Sequence, residues 1–294
     1  MVKKMLAAMI LGVSVFAVGC STSTGGNEAN EEKTLRITSS TVAATQVMDR
    51  LGLDLVGVPT TQSQLPERYA EVTEIGQAFA PNFEVIASLT PDLLVFDNNF
   101  KEKVEDQVNQ YGLNAFYFNT STFTSFKDSI IKLGEITSRE RAAEEVVDEL
   151  QKSVDKVLEK GKKSKEDIKV AVVFGTSESY MLATDKSYVG DLLNTIGITN
   201  ITDELSSVDS AYVDFSMEQI LKLNPDYILR LSHGDIEESK KAFEKEFEEN
   251  PAWKEMDATK EGRVYDLDPK LFAVTANLSV SDAITMLGNI IYGE

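Results

Sequence analysis

The chain has one cysteine, one histidine and one tryptophan in 294 residues. With Cys20 alone, no internal disulfide can form, so packing must hold the fold. With His233 alone, a bare transition-metal site of the usual kind is excluded, since such sites want several His or Cys ligands, or His with carboxylates. Basic residues are also scarce: 29 Lys and Arg face 48 Asp and Glu, a formal net charge of −19. So acidic a surface argues against nucleic acid or anionic lipid as a partner. Long hydrophobic runs are lacking as well. The apolar stretch from Met5 to Val18 is too short to make a comfortable transmembrane helix.

That stretch follows Lys3 and Lys4 and ends in Ala17-Val18-Gly19-Cys20, the pattern of a secretory signal. A cysteine directly after small residues resembles a bacterial lipobox, in which the cysteine is lipid-modified and becomes the mature N-terminus. Ala17 stands where leucine is commoner. Residues 1–19 are therefore expected to be a lipoprotein signal peptide, with Cys20 lipidated. Residues 20–33 contain no apolar run and read as a flexible tether. Cleavage before Cys20 removes two lysines and no acid, which makes the mature chain more acidic still. Roughly 260 residues remain, enough for a large core and more naturally divided into two lobes than kept as one.

From Thr34 onward short strands alternate with short helices. Thr34 to Thr41 alternates like a strand, and Val42 to Leu51 has helical spacing. Leu55 to Val58, Leu93 to Phe96 and Ala115 to Phe118 read as further strands. The period is that of a parallel sheet with helices on its faces. Ser138 to Lys160 differs in kind. Ala143, Val146, Val147, Leu150, Val154, Val157 and Leu158 recur at spacings of three and four, which predicts a helix of about six turns. The strand-and-helix pattern then restarts at Ile168 to Phe174. A polar loop is expected at Gly175 to Lys186, and a closing helix at Val280 to Tyr292.

One segment occurs twice. Glu84-Val-Ile-Ala-Ser-Leu-Thr-Pro-Asp-Leu-Leu-Val95 matches Glu218-Gln-Ile-Leu-Lys-Leu-Asn-Pro-Asp-Tyr-Ile-Leu229 at a constant offset of 134 positions. Two similar halves flanking one long helix imply an N-terminal α/β lobe over 34–137, a connector helix over 138–160 and a C-terminal α/β lobe over 161–294. The fold class expected is two Rossmann-like α/β lobes joined by a single long α-helix, with a ligand cleft between them. A single long helix is a stiff link, so a large hinge motion is not expected.

The lone histidine follows the second copy of the repeat, in Tyr227-Ile-Leu-Arg-Leu-Ser-His-Gly234. It falls just past a short apolar strand, and open α/β sheets bind ligands outside the carboxyl ends of their strands. One imidazole cannot build a bare-metal site, but it can supply an axial bond to iron held in a macrocycle, because heme takes only one or two protein ligands. The plainer alternative is that His233 caps a helix or bonds to backbone in its loop. Catalysis has a weaker claim. Gly175-Thr-Ser177-Glu-Ser179 half-resembles a nucleophile elbow, with Asp214 or Asp226 and His233 following in hydrolase order. The glycine that the sharp turn needs is replaced by Ser179, so an ordinary polar loop is the better reading, and no enzyme is expected.

Glu74-Ile-Gly-Gln77, Ala183-Thr-Asp-Lys-Ser-Tyr-Val-Gly-Asp-Leu192, Pro225 to Gly234 and Thr275-Ala-Asn277 together resemble the heme-binding lipoproteins of Gram-positive bacteria. The likeness is to the E-component lipoproteins of iron-regulated surface determinant systems. These lie within the ABC-importer substrate-binding proteins whose two lobes are joined by one long helix. It runs from about Leu35 to Tyr292.

The resemblance implies a lipid-anchored protein on the outer face of the cell membrane that captures one heme and delivers it to an ABC permease. A heme-donating surface protein is a further candidate partner, and a monomer is expected. The family's iron ligand is the histidine of an L-x-H-G segment, here His233. Its second ligand is a methionine two residues after the Gly-Gln pair, a place held here by Phe79. Phenylalanine cannot bind iron, so Phe79 is expected either to pack or to cover a porphyrin face. Met181 remains a reserve ligand and Tyr180 a weaker one, whereas Met48 and Met217 fall in expected helices. Val42, Phe79, Tyr180 and Met181 are candidate walls, and Thr60, Thr61, Gln62 and Ser63 a candidate loop for the propionates. In related proteins a glutamate in each lobe docks onto arginines of the permease, and Glu84 and Glu218 match those places. Their simpler role is as helix-start acids. The rival ligand is a ferric siderophore or a corrinoid, for which Arg68 and Arg230 could serve an anionic group.

Overall fold

The computed structural model describes residues 34–164, 167–205 and 208–293. The signal peptide, Cys20 and the tether fall outside the described residues. Leu35 onward forms one compact body. Its first half runs β1 (Ile37–Ser39), α1 (Val42–Arg50), β2 (Leu55–Gly57), β3 (Gly76–Gln77), β4 (Ala80–Pro81), α2 (Phe83–Ser88), β5 (Leu93–Asp97), α3 (Lys101–Gln110), β6 (Ala115–Phe118) and α4 (Phe123–Thr137). The strands order as β2-β1-β5-β6 in a parallel sheet, with β3 and β4 forming a separate hairpin. The connector is α5 (Glu140–Gly161), of 22 residues. After it come β7 (Lys169–Gly175), β8 (Tyr180–Ala183), α6 (Tyr188–Thr195), β9 (Thr199–Asn200), β10 (Tyr212–Val213), α7 (Met217–Leu223), β11 (Tyr227–Ser232), α8 (Ile236–Glu249), α9 (Pro251–Glu255), α10 (Asp257–Lys260), β12 (Val264–Asp266) and α11 (Val280–Tyr292). The second sheet orders as β10-β8-β7-β11-β12, with β9 also beside β7. The fold is two α/β lobes joined by a single long helix.

The second sheet departs from the parallel expectation. β8 runs antiparallel to β7, and β10 antiparallel to β8. The stretch expected as a loop from Gly175 to Lys186 is a hairpin whose second strand is β8. Its turn closes through the Thr176 N–H to the Ser179 carbonyl at 3.0 Å and through the Thr176 hydroxyl, which accepts from the Glu178 and Ser179 N–H groups. Hydroxyl-to-backbone bonds of this local kind make a tight turn from a sequence with no Asn-Gly or Asp-Gly signal.

Strands buried on both faces divide their side chains between two clusters, as the period of two requires. In β5, Leu93 and Val95 join one cluster while Leu94 and Phe96 join another. In β7, Val170, Val172 and Phe174 face the first cluster, whereas Ala171 and Val173 face a third. The first cluster runs through both lobes. It takes in Ala143, Val146, Leu150, Val154 and Val157 from the inner face of α5, which packs on α4 and α11. The connector starts two residues later than expected because Ser138 adopts the left-handed conformation (φ 54°) that ends α4. Behind that turn Gly134 lets the two helices close, since a Cβ there would lie 2.5 Å from the Ala143 Cβ.

The internal repeat has a physical cause. α2 and α7 each end on a non-glycine residue in left-handed conformation, Thr90 (φ 43°) and Asn224 (φ 39°). Each is followed by Pro-Asp. The aspartates then bind the chain entering the first strand of their own lobe: Arg36 N–H donates to Asp92 at 3.0 Å, and Lys169 N–H to Asp226 at 2.9 Å. The aspartate N–H groups return the bond to the Arg36 and Lys169 carbonyls, both at 2.8 Å. A helix stop and a two-bond clamp therefore set β5 beside β1, and β11 beside β7.

Close packing also governs the start of α6. Ser187 caps that helix by accepting from the Gly190 N–H at 3.1 Å, and the Ser187 hydroxyl donates to the Thr184 carbonyl. A Cβ on Gly190 would lie 1.8 Å from the Thr184 oxygen, which is backbone and cannot move aside. Gly190→Ala is therefore expected to cost more than about 3 kcal/mol, in the range of severe overpacking. Urea denaturation of the purified variant measures it.

Candidate functional site

The carboxyl ends of β1, β5 and β6 open onto a cavity of about 740 Å³, within the usual range of roughly 300–1,000 Å³ for small-molecule sites. The first half contributes Thr41, Val42 and Gln46 from the start of α1, Ser63 from the loop after β2, Asp97 at the end of β5 with Asn99 just past it, and Thr120 and Ser121 after β6. The second half contributes Lys186 and Ser187 before α6, Tyr212 on β10, and Val274, Thr275, Asn277 and Ser279 before α11. The cavity lies between the lobes. Its lining is more apolar than polar, with Val42, Phe100, Tyr212 and Val274 among hydroxyls and amides, and Asp97 and Lys186 are the charged members.

Two polar contacts join the lobes beside it. The Ala276 N–H donates to the Thr120 carbonyl at 2.7 Å. Asp191, on α6, accepts from the Thr124 N–H in the first turn of α4 at 3.1 Å, and Thr124 Oγ1 donates to the same carboxylate at 3.3 Å. Burial pushes the Asp191 carboxyl above the ordinary carboxylate range, and its bonds to the α4 backbone oppose that shift.

The candidate residues fall in several places. Val42 and Ser63 line the cavity. Thr60, Thr61 and Gln62 sit on the same loop as Ser63 outside the lining; the Thr60 hydroxyl donates to Glu74 at 2.7 Å, and the Thr61 hydroxyl accepts from the Ser63 N–H. Phe79 is 65% exposed at the tip of the β3–β4 hairpin. Tyr180 packs against Phe243 at 5.0 Å between ring centroids, and Met181 against the first core cluster. Burial raises the Tyr180 phenol and pushes the Tyr212 phenol up to about 12, so both are protonated at neutral pH. Met48 is fully buried in α1 and Met217 opens α7, the helical settings expected for both.

His233 is exposed one residue past β11. Its backbone N–H donates to the Gly175 carbonyl at 2.9 Å. Its ring lies 5.3 Å from that of Phe174, which in turn lies 4.3 Å from Tyr212 on the cavity wall. The helix behind it is capped by Asp235, which accepts from the Glu238 N–H at 3.1 Å. Among the described residues nothing hydrogen-bonds to the imidazole, which leaves a ring nitrogen able to donate its lone pair to a metal. No group of three His, Cys, Asp or Glu side chains among the described residues is placed to hold a bare metal ion.

The hydrolase arrangement fails on geometry. A nucleophile elbow needs strand, turn and helix, whereas β7 turns into β8. Asp226 clamps Lys169 at the opposite end of β11 from His233, about 20 Å away at strand rise. The two arginines offered to an anionic ligand are engaged elsewhere. Arg68 pairs with Asp54 at 2.5 Å and lies 3.8 Å from Asp49, and Arg230 makes a forked pair with Asp266. Glu84 and Glu218 are both exposed in the first turns of α2 and α7.

The sequence profile described as periplasmic binding protein matches residues 37–271. The chain belongs to the periplasmic binding protein family. Among relatives of this binding protein, the high-affinity heme uptake system protein IsdE of Staphylococcus aureus (strain MRSA252) is 36% identical over 285 residues, 97% of each chain. The crystal structure of S. aureus IsdE complexed with heme superposes with a TM-score of 0.75 at 37% identity, covering 88% of this binding protein and 99% of that chain. An ABC transporter substrate-binding protein from Listeria monocytogenes EGD-e superposes at 0.80 with 32% identity, covering 89% and 100%.

Sequence reasoning missed most of the cavity lining. Lys186, Ser187, Thr275 and Asn277 belong to segments that already carried the family likeness. Asp97, Thr120 and Ser121 had a signal too, since Asp97 directly follows one expected strand and Thr120 and Ser121 come two and three residues after another.

The Thr124–Asp191 contact yields a test. Asp191→Ala removes a carboxylate acceptor from the first turn of α4, a loss comparable to that of a cap at about 1–2 kcal/mol, less the relief of a buried carboxylate. A net loss near 1 kcal/mol in urea denaturation at neutral pH is expected, and an unchanged midpoint would mean that the lobes are held together without this contact.

Proposed function

We propose that this chain is the substrate-binding protein of an ABC importer that captures heme and passes it to a permease. The observation that carries the reading is the end-to-end likeness, in sequence and in fold, to a heme uptake protein crystallised with heme. Several features support it. The cleft has room for a flat macrocycle, and the lone histidine stands two ring contacts from its wall with an unbonded imidazole. The cavity lining contains no arginine, and the formal charges of Asp97 and Lys186 cancel. That suits a porphyrin better than a ferric chelate bearing several carboxylates, which would want a basic clamp.

In this reading the lobes span 34–137 and 161–294, with 138–160 as the connector. Lipid on Cys20 and the tether of 20–33 hold the protein at the outer face of the cell membrane. His233 ligates the iron, and no methionine partner follows the Gly-Gln pair. Phe79 lies at the hairpin tip, where it can cover a porphyrin face. Glu84 and Glu218 dock the permease, one from each lobe. The repeat places both acids at the start of a helix leading into a central strand, so they present equivalent charges on the two lobes.

Absorption spectra with hemin test the ligand. A Soret band with a largely high-spin pattern is expected for the wild type, because one strong protein ligand leaves ferric iron five-coordinate or water-ligated. His233→Ala should weaken binding severely, and Phe79→Met should move the spectrum toward low-spin. A His233→Ala protein with the wild-type spectrum would overturn the ligand assignment, and a low-spin wild type that turns high-spin in Met181→Ala would reassign the sixth position.

Docking is tested by uptake. Glu84→Ala and Glu218→Ala are expected to leave hemin affinity unchanged and to slow import, with the double variant worse than either. Each pair contributes on the order of 1 kcal/mol if it stays at the rim, and more if docking desolvates it. Normal import by the double variant would rule these glutamates out.

A further inference from the structure

Asp97 is 7% exposed, yet it lines the cleft at the carboxyl end of β5, where ligands of such sheets bind. Its carboxylate accepts from the Asn99 N–H at 2.8 Å and from the Thr120 hydroxyl at 3.1 Å. The Thr120 carbonyl accepts from the Ala276 N–H, and Val274, Thr275 and Asn277 on either side of Ala276 line the second half of the cleft. A buried acid thus stands at the base of the cleft, tied through Thr120 to both walls. Nothing in the structural or docking roles described above uses it.

We propose that Asp97 couples ligand capture to proton uptake, by accepting a proton and donating it as a hydrogen bond to a carboxylate of the bound ligand. The inference rests on the heme reading, whose ligand carries two carboxylates. Two carboxylate groups cannot meet in a half-dry cleft with both ionised, whereas an acid and a carboxylate make a strong, short hydrogen bond.

The surroundings leave Asp97 to carry the proton. The groups acting on it are the Asn99 backbone and side chain and the Thr120 hydroxyl, all neutral, and burial already raises its carboxyl above the ordinary range before any ligand arrives. The other charged group of the cleft, Lys186 at the start of α6, is paired with Asp185 at 2.9 Å. The end of β6 and the segment before α11 bring hydroxyls and amides to the lining, and no further acid.

The sign follows. A ligand carboxylate raises the Asp97 pKa further, so binding takes up a proton in the window between the value in the empty protein and the value in the complex. Affinity then falls as pH rises through that window, by up to about tenfold per pH unit for one proton.

The test is isothermal calorimetry of hemin binding in two buffers of different ionisation enthalpy, with Soret titrations across the mildly acidic to mildly alkaline range. The full mature chain is used, as wild type, Asp97→Asn and Thr120→Val. Wild type should take up as much as one proton, and Asp97→Asn, which keeps the shape and loses the titration, should take up less by that amount. Thr120→Val removes a donor that favours the ionised acid, so it should move the window to higher pH. Hemin dimethyl ester, which lacks the carboxylates, should bind without the Asp97-dependent uptake. Equal uptake by wild type and Asp97→Asn overturns the proposal, as does a wild type that takes up no proton. Hemin that gives no Soret change with wild type defeats the heme reading and this inference together, whereas a Soret change without Asp97-dependent uptake defeats this inference alone.

Discussion

The pairing of a Pro-Asp carboxylate with the chain entering the first strand is the interaction on which the architecture turns. It occurs once in each lobe, at Asp92 and at Asp226. Each clamp fixes the register of a central strand pair, and the register fixes which strand ends reach the cleft. Asp97 and His233 are at or just past the carboxyl ends of the two strands set in this way. A carboxylate accepting a backbone N–H with a returning N–H···O bond is stronger than a neutral pair, and each clamp finds its partner within its own lobe. Each lobe can therefore set its own sheet before the other is complete.

The lobes are nevertheless not independent bodies. One apolar cluster passes from the first sheet through the inner face of α5 to the second sheet. The acidic outer face of α5 keeps that long helix soluble, while the valines and Leu150 beneath it close the core. The direct ties at Thr120–Ala276 and Thr124–Asp191 add polar fastening at the edge of the cavity.

Much of this was legible in the sequence for physical reasons. The connector could be read because seven apolar residues kept helical spacing over more than four turns, and the lobes because the segment at Glu84 returned at Glu218. What stayed hidden depended on contacts distant in sequence or on turns with weak chemistry. β8 was hidden because its turn is made by the Thr176 hydroxyl and not by a glycine pair. α4 was passed over although Thr122 caps it, because Phe123, Phe126, Ile130 and Leu133 sit among polar residues and its end is a left-handed serine. The cavity was hardest to see. His233 drew attention as the only histidine, but Asp97, Thr120 and Ser187 are ordinary residues until folding brings their strand and helix ends together. The same holds for Arg68 and Arg230, which the sequence left available and the fold pairs with acids.

The continuous core has a consequence for how such a carrier is recognised when full. A body whose two halves share one interior is poorly suited to report occupancy by swinging shut, because any large rotation would tear apolar contacts along the whole length of α5. Loading changes the molecule where the guest sits, in the cleft lined by the loop of Ser63 and the turns before α6 and α11. A membrane partner that prefers loaded carriers must therefore inspect the rim of that cleft and the guest's own exposed edge. The information would be written in local surface chemistry, and the distance between the lobes would carry almost none of it.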